Sequence, residues 1–192
     1  MTTFLLHGGK TSTPDLGNDK FFSQFTQLVE KDTVTVLLCY FSRERSTWED
    51  LIERDTNSIK KNTKKVVDIL IAENPMDLFM KLERADVLYV AGGDAEPIEA
   101  LYEQLRDLKT RLSGKIYAGS SMGAFLASES YVLSMSDQAE NEVHKGLGLL
   151  PIQTLCHWNV EKNKDKKKKL LKEYSESPII VLNEFETVTV YR

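Results

Sequence analysis

The stretch that most constrains this chain runs from Lys115 to Ala124. A short apolar run, Ile116-Tyr117-Ala118, ends in Gly119-Ser120-Ser121-Met122-Gly123, and helix-compatible residues follow (Ala124, Phe125, Leu126, Ala127). Gly-x-Ser-x-Gly between a strand pattern and a helix pattern is the sequence of a strand–turn–helix elbow. Side chains at 119 and 123 would collide with the adjacent strand and helix, and the backbone at Ser121 is forced into a strained conformation. The turn exposes the Ser121 hydroxyl. It also puts the Met122 N–H at a helix N-terminus, where developing negative charge is stabilised.

Around the elbow, short β-rich runs alternate with longer helical patterns. The runs are Thr3–Leu6, Thr33–Tyr40, Val66–Ala72, Asp86–Ala91 and Lys115–Ala118. Phe21, Phe22, Phe25, Leu28 and Val29 predict a helix over 18–31, and Ser46-Thr47-Trp48-Glu49 reads as a capping box. Asn74-Pro75 supplies a cap and a first-turn proline, and Ile98, Leu101, Leu105 and Leu108 form one helical face across 96–112. This alternation predicts an α/β fold, a doubly wound, mostly parallel sheet with helices on both faces. Such sheets bind ligands at the C-terminal ends of their strands. There the chain places His7-Gly8-Gly9-Lys10, Gly92-Gly93-Asp94 and the serine elbow. Three glycine turns on one rim point to a site where a ligand approaches the backbone closely, with Gly8, Gly9, Gly92 and Asp94 as candidate substrate contacts. Beyond the elbow, Tyr131–Met135 and Pro151–His157 read as strands and 163–174 as a charged helix. Pro178–Leu182 and Thr187–Tyr191 read as a strand pair turning at Asn183-Glu184.

Composition narrows the function. A chain of 192 residues predicts one domain, 1–192, with a substantial core. A net charge of −4 argues against nucleic acid as a partner. No apolar run reaches membrane-spanning length and the N-terminus lacks a basic start, so a cytoplasmic protein is expected. Two cysteines, Cys39 and Cys156, suggest no disulfide framework, and three histidines without a Cys/His cluster leave little for a metal site.

A serine nucleophile needs a base, and the candidates are His7, His144 and His157. His144 sits in a polar stretch and reads as solvated; His7 has no evident orienting acid. His157 ends an apolar strand pattern that would deliver its ring to the rim, so it is favoured. The acid that orients it is Asp137 first, with Glu184, at the last strand turn, as the rival. Serine, acid and histidine then follow the chain order of α/β-hydrolases. However, only 71 residues follow Ser121, too few for the remaining units of that sheet. Gly9-Lys10-Thr11 lacks the earlier glycine of a phosphate-binding loop, since that position is Phe4. Cys156 and His157 are strand neighbours pointing to opposite faces, which makes them a poor nucleophile–base pair. The lysines from Lys162 to Lys172 are interleaved with acids and read as a solvated helix face.

With these residues in view, the chain resembles the peptidase E family of aspartyl dipeptidases and cyanophycinase-like serine peptidases. The resemblance is carried by His7-Gly8-Gly9, Tyr89-Val90-Ala91-Gly92-Gly93-Asp94, Gly119–Ala124, Gly146-Leu147-Gly148-Leu149-Leu150 and Cys156-His157-Trp158. It implies a flavodoxin-like, class I glutamine amidotransferase-like fold and a cofactor-free Ser-His-acid mechanism with Ser121 as nucleophile and His157 as base. Asp137 occupies the position most like the family's acid, and a glutamate also recurs at the turn of Glu184. Met122 N–H and an N–H of the Gly92-Gly93 turn would form the oxyanion hole. Two departures stand out. Met122 replaces the family's usual alanine, which would reshape the pocket mouth. The region beyond His157 offers lysines where aspartyl-selective members use arginine, and lysine cannot supply the bidentate fork that arginine gives a carboxylate. The expected partner is a small peptide, with the chain a monomer or homodimer. The competing reading is a silent member that binds an amino-acid-like ligand.

Overall fold

The structure is a computed structural model and describes residues 1–133 and 142–192. Its main sheet is built from β1 (Thr3–His7), β2 (Thr33–Cys39), β3 (Val66–Ile71), β4 (Val87–Val90), β5 (Ile116–Ser120) and β10 (Thr187–Tyr191). The spatial order is β10-β1-β5-β4-β2-β3, and all neighbours are parallel except β10 on β1. The apolar runs become the interior strands β4 and β5, buried at every position, as expected of a sheet covered on both faces. β5 lies between β1 and β4, with Ser120 level with His7 and Gly119 level with Val90. That adjacency brings three loops together at one rim.

The flanking helices are α1 (Leu16–Gln27), α2 (Trp48–Lys61), α3 (Pro75–Leu82), the short α4 (Ala95–Glu99), α5 (Tyr102–Leu105) and α6 (Leu108–Arg111), α7 (Met122–Ala127) and α8 (Lys164–Tyr174). α1 starts where the Asp15 carboxylate accepts the Gly17 N–H at 2.7 Å, and its Phe21, Phe22 and Phe25 pack as a cluster on Tyr89 of β4. Asn74 caps α3 through Asp77 N at 2.9 Å, with Pro75 in the first turn, as the sequence predicts. A second sheet, β7-β6-β8-β9, comprises β6 (Ser130–Tyr131), β7 (His144–Lys145), β8 (Gln153–Leu155) and β9 (Ile179–Val181).

Three expectations are corrected. Ser46 opens no capping box: a 3₁₀ turn spans Arg45–Thr47 and α2 begins at Trp48 without a side-chain cap. The segment 96–112 is three short helices. Ile98, Leu105, Leu108 and Leu112 all reach the core, but i→i−3 bonds such as Leu101 N to Ile98 O and Gln104 N to Leu101 O replace the α pattern at the joints. β9 and β10 do not pair with each other. The edge of β8 takes β9 and the free edge of β1 takes β10, so the turn at Glu184 crosses from one sheet to the other. Among the described residues no helix is long and apolar enough to cross a membrane.

Candidate active site

Ser121 joins β5 to α7 with φ 49° and ψ −105°, a strained conformation for a residue with a side chain. The elbow closes because its flanking glycines carry no Cβ: one at Gly119 would lie 2.4 Å from Gly123 O, and one at Gly123 2.1 Å from Val90 O. The serine hydroxyl lies 2.9 Å from His157 Nε2, and His157 Nδ1 lies 3.0 Å from Glu184 Oε1. Both partners are nearly buried, at 13 % and 8 % side-chain exposure, so water competes little for these bonds.

Each member is fixed from the backbone. His157 adopts φ 53° just beyond β8, and its N–H donates to Gly8 O. Glu184 sits in the crossing turn, its own N–H held by Asn159 Oδ1 at 2.8 Å. Of the two acids weighed from sequence, Glu184 faces the imidazole; Asp137 lies outside the described residues. Cys156 is fully buried behind the elbow, its thiol pushed up by burial, in keeping with an apolar role. His144 is not simply solvated: its Nδ1 lies 2.9 Å from Glu99 Oε1 and its ring stacks on Tyr131. His7 is buried behind the elbow and its pKa is lowered to about 4, chiefly by burial.

A cleft of about 480 Å³ opens at Ser121 and His157, lined also by Gly92, Gly93 and Asp94. Among the described residues neither Met122 N nor Gly93 N donates to a protein acceptor. The Met122 side chain is buried in the core and is not among the residues lining the cleft. Gly8 and Gly9 are not among the residues lining the cleft, and both positions are tightly packed within the chain. A Cβ at Gly8 would strike Asn183 O, and one at Gly9 would strike the His157 ring.

Apart from Lys10, whose turn the sequence places on this rim, the remaining cleft wall is not foreshadowed by any motif. Arg43, Arg54, Lys10, Thr11 and Ser12 line it. Arg43 follows β2 on the same rim and donates Nε to Gly92 O. A signal existed in Ser42-Arg43 directly after a strand, although that turn carries no glycine to draw attention. Arg54 comes from α2, where Nε and Nη2 both donate to Oδ1 of the fully buried Asp55 at 2.8 and 2.7 Å. Burial works against the Arg54 charge, but Asp55 outweighs it and raises the guanidinium pKa. Nothing in the spacing of α2 showed that this arginine would reach the site. Among the described residues no group of three or more His, Cys, Asp or Glu could hold a metal ion.

A strained serine at the C-terminal rim of a parallel sheet, facing a histidine that in turn faces a glutamate, sits on a strand–turn–helix elbow of an α/β protein. The profile of Peptidase family S51, the peptidase E family, matches residues 4–191, and the chain belongs to that family and is a peptidase. Comparison with curated protein sequences gives no significant match. Among solved structures the chain is similar to a peptidase from an acI-B1 Actinobacterium, with 17 % identity and a TM-score of 0.63 over 98 % of this chain and 83 % of that one. It is also similar to a protein described as a candidate peptidase E from Listeria monocytogenes EGD-e, with 18 % identity and a TM-score of 0.62 over 100 % of this chain and 99 % of that one. These likenesses support the same fold.

Proposed function

We propose that the chain is a serine peptidase acting on short peptides, with Ser121 as nucleophile, His157 as general base and Glu184 as the orienting acid. The observation that carries this reading is the unbroken line Ser121 Oγ–His157 Nε2–His157 Nδ1–Glu184 Oε1, at 2.9 and 3.0 Å. A carboxylate accepting from Nδ1 fixes the proton there and leaves the Nε2 lone pair facing the serine hydroxyl. Ser121 Oγ attacks the scissile carbonyl carbon as its proton passes to Nε2. The imidazolium, stabilised by Glu184, then returns that proton to the departing amine. Water deacylates the serine by the same relay in reverse. The free N–H groups of Met122 and Gly93 receive the oxyanion, a contribution on the order of 3 kcal/mol to the barrier for each such donor.

The cationic wall supports a preference for an acidic residue in the substrate. Among the described residues the Arg43 Nη groups and Arg54 Nη1 are free of protein acceptors, which leaves planar donors for a carboxylate. These side chains replace the lysines beyond His157 as the candidates for that role. The glycine rim and modest cleft suit dipeptides and tripeptides. The test is fluorophosphonate labelling together with hydrolysis of Asp–X dipeptides. Labelling confined to Ser121 and lost in Ser121→Ala is the expected result. A protein that binds such peptides but neither labels nor cleaves them is the silent binding module instead.

A further inference from the structure

His7 is a fully buried imidazole that does not line the cleft, and its ring packs on Phe21 at a centroid distance of 4.6 Å. An apolar side chain would fill that space without the cost of desolvating two ring nitrogens, so its bonds must account for its presence. Gly9 N donates to His7 Nδ1 at 3.1 Å, which places the ring proton on Nε2. Beside the ring lies Asn18, whose Nδ2 donates to Lys10 O at 2.9 Å and Thr13 O at 2.6 Å. Those two bonds leave Asn18 Oδ1 as the acceptor on its other side. His7 Nε2 and Asn18 Oδ1 are both buried and neither has a hydrogen-bond partner among the described residues. Ser120 Oγ, one residue before the nucleophile, is 3.4 Å from Nδ1.

The main chain at 7–9 shows what this ring controls. His7 O accepts from Ser121 N, Gly8 O from His157 N and Gly9 O from Phe185 N, at 2.9, 3.2 and 3.3 Å. Three consecutive carbonyls thus reach the segments carrying the serine, the histidine and the glutamate. Their relative placement depends on the conformation of one tripeptide, which includes Gly9 at φ 114°. A glycine there is free to leave that conformation, and a bond from its own N–H to a side chain two residues earlier removes the freedom.

We propose that His7 is a positioning residue for the reaction: its ring closes the 7–9 turn and so keeps open the space that the His157 ring occupies against Ser121. The inference rests on the reading of Ser121 and His157 as nucleophile and base. Burial also keeps the His7 ring neutral at neutral pH, so Nδ1 stays available as an acceptor.

The test compares His7→Leu, which keeps bulk but no acceptor, with His7→Asn, whose Oδ1 falls near the Nδ1 position. Labelling rate, kcat, KM and thermal midpoint are measured for each and for wild type. Displacing the base should lower kcat and labelling about 100-fold in His7→Leu with KM little changed. His7→Asn should recover most of that loss. Wild-type rates in His7→Leu, or equal impairment of both variants, overturn the inference. Should His7→Leu fail to fold, histidine-selective ¹⁵N spectra of the wild type decide: a neutral Nε2–H tautomer supports the proposal and an Nδ1–H tautomer overturns it. A wild type that neither labels nor hydrolyses overturns the serine mechanism and this inference together. A wild type that labels while His7→Leu labels equally overturns this inference alone.

Discussion

The imidazole of His157 occupies the volume that a side chain at Gly9 would fill: a Cβ there would lie 2.2 Å from Cε1 and 2.5 Å from Nε2. The His157 ring is therefore seated against the Gly9 backbone. Gly9→Ala should displace the ring and reduce kcat by about 100-fold, the cost of misplacing a reacting group by roughly 1 Å. The φ of 114° adds destabilisation of about 1–3 kcal/mol for any residue with a Cβ. Slower fluorophosphonate labelling with a lowered thermal midpoint is the expected pair of results. An active Gly9→Ala protein would show that the ring is not held there during turnover.

The acid assignment separates two carboxylates. Glu184→Gln replaces the acceptor at His157 Nδ1 with an amide that can impose the wrong tautomer, and kcat should fall by about 10³–10⁴-fold, as in other triads. Asp137→Asn should leave kcat close to wild type. The reverse ranking would reassign the acid to Asp137, and small equal losses would remove both from a triad.

The parallel sheet is legible in the sequence because interior strands must be apolar throughout and elbows must be glycine-flanked. β4, β5 and the turn at Ser121 obey both rules. Asn74-Pro75 was legible for a similar reason, since a local cap needs no tertiary information. The segment 96–112 was misread because its apolar spacing fits one helix as well as three short turns following a curved core. The approach of Glu184 to His157 depends on where the 182–186 turn crosses between sheets, a long-range pairing invisible in local pattern. Arg54 was hidden for another reason. Its orientation comes from the buried Asp55 beside it, and an Arg-Asp pair in a polar helix face reads as ordinary surface.

His7 links the site to acid stability. Its pKa is 6.5 in the unfolded chain and about 4 when folded, chiefly through burial. Between those values the unfolded chain binds more protons, so the contribution is fully present above about pH 6.5 and is lost as pH falls toward 4. A shift of that size amounts to about 3 kcal/mol. Asp19, Asp77 and Asp86 have folded pKa values below 3.8 and act at lower pH, whereas burial raises the Asp55 pKa and works in the opposite direction, so the His7 contribution is read as the difference between wild type and His7→Asn. Urea midpoints measured from pH 7.5 to 4 should decline for wild type and flatten in His7→Asn. An unchanged slope in that variant assigns the acid sensitivity elsewhere.

Substrate choice provides the last prediction. Surface lysines would attract an acidic peptide only through long-range charge, which salt screens within a Debye length of about 8 Å at physiological ionic strength. Arg54 behaves differently, because two of its N–H groups are fixed on the buried Asp55 and its fork is oriented before substrate arrives. A charge-assisted hydrogen bond to a substrate carboxylate in such a setting is worth about 1.5–3 kcal/mol, or roughly 10- to 100-fold in rate. Asp–X dipeptides should therefore exceed Asn–X dipeptides in kcat/KM by that factor, and the ratio should persist at high salt. Arg54→Lys keeps the charge beside Asp55 but loses the planar fork, so the ratio should drop toward unity while the fold survives. Arg43→Lys should reduce it less, since Arg43 is anchored by one bond to Gly92 O. Measuring both peptides at low and high salt for the three proteins separates the cases. A wild-type preference that salt abolishes would transfer recognition from the arginine wall back to the exposed lysines of α8.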